Sequence, residues 1–475
     1  MFILKTLKCK CAALLFAICT LVAQPIQAEQ DFVALSKLIL IGSDSERNAA
    51  ADAIIAHGSA DMIPTLVLLM RIGGSHVATQ KALHALAGKT LRNWREAMLY
   101  QEAHPEIEPH PSYYELKLWY WSGIDKDFLS LFNSTSDWNN MRIRFEEITW
   151  GGALYDSIPP LDNPTLIHAA QADYLLDTDL VFGIEINGDI RAYPLRIMGW
   201  HEMLNDVIGG VPVALAYCTL CGAGILYETT ANGHNKPFVF GSSGLLYRSN
   251  KLMFDRQTNS LWNQFTGEPV SGALAHSGIA LETRPVTITS WAKWRAHHPN
   301  TKVLSLETGH FRNYDSGVVY REYFASTDLM FPTFTDQSRL RQKEYIYGIR
   351  LAGGAKAWPL DAFATRPVIN DQVGFFNVVL IGDSNTRTVR AYERSDHLFS
   401  GNQTALNGPG GAWQIKENAL IGPNGQRLPR VPGHITYWFA WDGFLGLKSK
   451  LYTEHKTESS DSDSNEQSDT TVLPE

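Results

Sequence analysis

The stretch FGIEINGDIRAYPL at residues 182–195 returns as YGIRLAGGAKAWPL at residues 347–360, at a constant offset of 165 positions and without a gap. Apolar residues alternate from Val181 to Ile186, Asn187-Gly188 follows, and Ile190 to Tyr193 alternates again. That pattern predicts two antiparallel strands joined by a type I′ turn, because Asn-Gly accepts positive φ at both central positions. The register continues through Asn205/Asn370, Asp206/Asp371, Gly209/Gly374, Val213/Val378, Leu215/Leu380, Tyr227/Tyr392 and Glu228/Glu393. After a change of length it resumes at an offset of 147, pairing Leu281/Leu428, Ile288/Ile435, Trp291/Trp438 and Trp294/Trp441. Agreement at this many positions predicts two copies of one β-rich fold packed about a pseudo-twofold axis.

Outward from this repeat, a short helix or turn is expected from Arg196 to Asn205, with Asn205-Asp206 as turn or cap formers. Val211 to Tyr217 reads as a buried strand, and Leu252–Asp255 with Leu261–Gln264 as a hairpin. Upstream, residues 31–139 carry apolar positions at helical spacing, and Ser43-Asp44-Ser45-Glu46 has capping-box spacing. These paired helices are similar to a short α-solenoid of the HEAT type, a surface suited to docking a protein partner. The expected organisation is α+β: a helical HEAT-like unit at 31–139, a first repeat at 150–340, a second at 341–453, and a disordered acidic tail at 454–475.

The first 28 residues read as an export signal: Lys5, Lys8 and Lys10, a short apolar stretch, then Ile26-Gln27-Ala28 before Glu29. Its removal takes three lysines and no acid from 41 basic and 49 acidic residues, leaving 38 against 49, about −11 net. Such a charge argues against nucleic acid and acidic membrane surfaces as partners. No later apolar run has the length of a membrane span, so a soluble periplasmic or secreted protein is expected.

Cys9, Cys11 and Cys19 lie in that leader, so the mature chain keeps Cys218 and Cys221. Two nearby thiols in an oxidising compartment make a disulfide, a redox couple or part of a metal site. Gly222 and Gly224 disfavour the helix that follows the cysteines of thioredoxin-type motifs, and a left-handed glycine after the second sulfur is the geometry of a metal knuckle. With no second cysteine pair, further ligands must be His, carboxylate or thioether: His201 first, then Glu202, with Met253 a distant third. The repeat supports this choice, since His201 aligns with Arg366, Glu202 with Pro367, Cys218 with Asp383 and Cys221 with Thr386. The alternatives are a hydrogen-bonded core histidine at His201 and an inert disulfide at the cysteines. His297-His298 reads as a solvated helix face. Gly241-Ser242-Ser243-Gly244 lacks the spacing of a hydrolase nucleophile elbow, and no nucleotide-binding glycine loop is present.

Arg191-Ala192-Tyr193-Pro194-Leu195, Trp200-His201-Glu202, Tyr217-Cys218-Thr219-Leu220-Cys221-Gly222 and Met253-Phe254-Asp255-Arg256 occur in one order. This run resembles the bacterial family known as domain of unknown function 3179 (DUF3179), over about Trp150 to Trp441. Thr219 stands where that resemblance implies proline, and the resemblance brings no reaction with it. Two functions are therefore expected from the sequence. One is an exported protein with a metal-binding or redox-active site of Cys218, Cys221 and His201, with Glu202 beside them, taking zinc or copper if a metal is bound. The other is a non-catalytic interaction or scaffold protein whose cysteines form a structural disulfide.

Overall fold

A computed structural model describes residues 31–73, 76–132 and 141–453. The expected leader, the acidic tail and residue 139 at the expected end of the helical unit lie outside the described residues.

Six α-helices come first: Phe32–Ile41, Asp44–His57, Ile63–Gly73, Val77–Ala87, Trp94–Ala103 and Ser112–Ile124. The capping box at Ser43 forms: its hydroxyl accepts from the Glu46 N–H while the Glu46 carboxylate accepts from the Ser43 N–H at 2.7 Å. Ile39, Ile54, Leu66, Leu69, Leu83 and Trp121 turn inward from these helices. The same apolar cluster takes in Leu245, Tyr247, Leu252 and Phe254 from the β-rich region. The helical layer therefore sits directly on a five-stranded antiparallel sheet, whose strand order is Ile148–Trp150, Phe240–Tyr247, Asn250–Asp255, Leu261–Asn263, Glu268–Ser271. Glu147 ties the layers further, its carboxylate accepting from both Arg144 and Arg248.

The rest of the chain is built of further sheets. The opening hairpin pairs Leu180–Ile186 with Asp189–Pro194. Asn187 and Gly188 both have positive φ, 50° and 80°, as its turn type requires. Met203–Ile208, Val211–Cys218 and Ala223–Glu228 follow as an antiparallel meander. The strands Tyr345–Leu351, Gly354–Pro359, Val368–Val373, Phe376–Asp383 and Thr388–Glu393 have the same lengths and stand 165 positions later.

Two local expectations change. Asn205 and Asp206 are not turn or cap residues: they lie inside the strand Met203–Ile208, and the turn falls on Gly209-Gly210, with φ of 56° and 82°. Asp206 instead accepts from Arg191 at 2.7 Å and from the Tyr193 hydroxyl at 2.8 Å, and Asn205 brackets Phe240 through both its backbone groups. His298 is not on a solvated face. It ends the helix Trp291–His297 against Glu417, a carboxylate that also holds Arg390 and Arg430.

Candidate functional site

The strand Val211–Cys218 delivers Tyr217 and Cys218 to opposite faces of its sheet, as alternation along a strand dictates. Tyr217 lines a cavity of about 830 Å³ with Tyr345, Tyr437 and Arg387, whereas Cys218 lines a separate cleft of about 530 Å³. Gly199 and Val319 border both.

After Cys218 the chain turns at once. The N–H of Cys221 donates to the Cys218 carbonyl, that of Gly222 to the Thr219 carbonyl, and the strand Ala223–Glu228 returns antiparallel. Gly222 has φ 62°, and a β-carbon there would meet the Tyr345 ring at 3.0 Å, so both backbone and space require glycine. The turn is also held from far along the chain. The Cys221 carbonyl accepts from the Tyr437 N–H at 2.8 Å and from the Thr436 hydroxyl at 3.0 Å.

No disulfide bond joins the two cysteines, whose sulfurs lie 2.6 Å apart. Cys218 is 2% exposed and Cys221 is fully buried. Burial pushes the Cys221 thiol well above its usual range, and the neighbouring Cys218 sulfur pushes it the same way. Its Sγ faces Asn250 Oδ1 at 2.8 Å and the Ser249 carbonyl at 3.4 Å, both acceptors that suit a protonated thiol.

Glu202 stands beside the turn. It caps the helix Leu195–His201 with φ 57°, a left-handed conformation that costs a non-glycine residue about 1 kcal/mol or more. Its Oε1 accepts from the Thr219 hydroxyl at 3.0 Å and its Oε2 pairs with Lys251 Nζ at 3.1 Å. Its carbonyl accepts from the Tyr217 N–H. Lys251 and Glu202 are both buried and both line the cleft with Cys218. Tyr320 joins them there, its phenol pushed up to about 12 by burial first and by the Glu202 charge next.

His201 does not join the sulfurs. Its Nδ1 lies 2.7 Å from the Pro159 carbonyl, which can only accept, so that nitrogen carries the proton. Its Nε2 then accepts from the Tyr314 hydroxyl at 2.5 Å. Burial lowers the imidazole to about 4, so it is neutral through ordinary pH. Both ring nitrogens are committed, and Cys218, Cys221 and His201 form no three-donor group among the described residues. In this structure His201 stands as a hydrogen-bonded core residue, apart from the sulfurs with which the sequence grouped it. Met253 is likewise buried core. The structure brings together Cys218, Cys221 and Glu202, and adds Asn250, Lys251, Thr219 and Tyr320. Sequence reasoning missed Lys251, although a lysine inside the otherwise burial-prone strand Asn250–Asp255 was a signal that it must have a buried partner.

The chain belongs to the family described as "Protein of unknown function (DUF3179)", whose profile matches residues 155–447. The match takes in the cysteine turn, Glu202 and Lys251, and leaves the N-terminal helices outside it. No curated protein and no solved structure matches the chain.

Proposed function

We propose that Cys218 and Cys221 form a dithiol–disulfide redox centre that exchanges with a disulfide of a partner molecule. The observation that carries this reading is the 2.6 Å approach of two free sulfurs at the edge of a cleft. Cys218 lines that cleft, so it is the attacking thiol. As thiolate it displaces one sulfur of the partner disulfide, forming a mixed disulfide and releasing a partner thiolate, which takes up a proton. Cys221 then gives up its proton and attacks the Cys218 sulfur, closing the internal disulfide and releasing the second partner thiol. Two thiols are oxidised, the partner disulfide is reduced, and two protons pass across. Lys251, held by Glu202, lines the same cleft as Cys218 and is positioned to meet the incoming partner.

This reading places the protein in an oxidising compartment after export, consistent with the charged and apolar pattern of residues 1–28. It also takes the two halves as copies packed about a pseudo-twofold axis. In that scheme the second copy, with Asp383 and Thr386 at the positions of the sulfurs, supplies the floor through Tyr345, Thr436 and Tyr437. The helical layer, HEAT-like in this scheme, supports the sheet and offers a partner surface.

The test is equilibration of the full chain in glutathione buffers of graded potential, followed by alkylation and mass counting of free thiols. A single two-electron transition in which both cysteines change together is expected. Thiols that stay reduced in every buffer sink the proposal, as does a disulfide that no physiological dithiol reduces.

A further inference from the structure

A second cluster of chemically capable side chains lies in the helical layer, outside the family match. His57 ends the helix Asp44–His57, Asp61 lies in the short 3-10 turn Ala60–Met62, and His110 precedes the helix Ser112–Ile124. One ligand atom from each falls within 4.8 Å of the other two.

Several contacts hold these three side chains together. The His110 N–H donates to the Asp61 carbonyl at 3.0 Å, which locks the two loops together. The Phe32 ring packs against both imidazoles, with centroids 4.7 Å from each, and fixes their planes. His110 Nδ1 accepts from the Ser112 N–H at 3.2 Å and lies 2.8 Å from the Ser112 hydroxyl, contacts that hold the ring in place beside the other two side chains. Asp61 Oδ1 is enclosed and has no hydrogen-bond donor, because His57 Nε2 stands 3.6 Å away. An enclosed carboxylate oxygen without a donor is costly unless a cation meets it.

We propose that His57, Asp61 and His110 bind a divalent transition-metal ion of the zinc class. Two imidazoles and a carboxylate suit such an ion, and bonds of about 2.0–2.2 Å would draw the three ligand atoms slightly closer than they stand. The bound ion would meet Asp61 Oδ1 and clip the end of the second helix to the loop before the sixth. Three protein ligands leave a coordination position open, and the side chains of His57 and Asp61 are about one-third exposed, so water or a partner's donor can complete the sphere.

Titration of the full chain with zinc chloride by calorimetry, with metal content checked by mass spectrometry, tests this. The chains compared are the parent, His57→Ala, His110→Ala, the near-isosteric Asp61→Asn, and Cys218→Ser/Cys221→Ser. One zinc per chain is expected in the parent and in the double serine variant. Loss of a ligand should weaken binding by at least the roughly 10–100-fold typical of losing an outer partner. Should an alanine variant misfold, as judged by circular dichroism, Asp61→Asn decides alone. Equal affinity in Asp61→Asn and the parent overturns the proposal. So does zinc that disappears only with the cysteines, or no zinc bound at millimolar concentration. The site is independent of the redox reading, and a failure of either leaves the other standing.

Discussion

Asn250 presents Oδ1 to the Cys221 sulfur at 2.8 Å while its own Nδ2 is buried with no acceptor. Half a turn of the amide would exchange the two atoms and offer an N–H to a thiolate. In the proposed redox cycle Asn250 could thus serve both protonation states of one sulfur. Asn250→Ala should slow closure of the internal disulfide about tenfold, the loss of one hydrogen bond to a charged group. Stopped-flow oxidation by a model disulfide reads this, and an unchanged rate removes Asn250 from the mechanism.

The buried pair of Glu202 and Lys251 makes a second prediction. Lys251→Met strands a carboxylate and should destabilise the fold by about 3 kcal/mol, whereas Lys251→Met with Glu202→Gln should recover much of that loss. Urea denaturation of the single and double variants gives the coupling. Additive losses would mean that the two side chains do not depend on each other.

Gly222→Ala should cost stability and disturb the sulfurs together, since the added carbon strains a left-handed backbone and meets Tyr345. Gly224→Ala is no control, because Phe182 blocks it; Gly210→Ala, at an open turn, is. A shift in the dithiol–disulfide potential for Gly222→Ala but not for Gly210→Ala is the expected result.

Acid should weaken the fold through two histidines. Burial lowers His201 to about 4 and His434 to about 3, both below the ordinary value of 6.5. The unfolded chain therefore binds protons that the folded chain refuses, and stability falls as pH drops from about 6.5 toward 4. For His201 the loss approaches roughly 3 kcal/mol at pH 4. Melting temperatures of the parent and His201→Gln between pH 7 and 4.5 test this. The variant should start lower and fall less steeply, and parallel curves would rule His201 out as a source of acid sensitivity.

Local chemistry was legible in the sequence. Asn187-Gly188 announced its turn, the apolar run from Val211 its buried strand, and Gly222 its left-handed backbone, because each depends on residues within a few positions. The capping box at Ser43 was legible for the same reason. What was hidden depends on distant partners. His201 donates to Pro159 and accepts from Tyr314, 42 and 113 positions away, and no spacing around Trp200-His201-Glu202 encodes these bonds. Asn205-Asp206 has turn-forming residue types, yet the pair is drawn into a strand because Arg191, Tyr193 and Phe240 satisfy its side chains. Tertiary satisfaction outweighed local propensity there.

The two hydrogen bonds on the Cys221 carbonyl come from residues 215 and 216 positions downstream. A chain emerging from synthesis has made both cysteines long before it has made Thr436. Closing so long a span is slow, and until it closes the sulfurs lack the enclosure that sets their chemistry. In the proposed redox cycle their reactivity should therefore act as a clock, changing when the last strands dock, and a chain cut short before Thr436 should keep its thiols in the juvenile state.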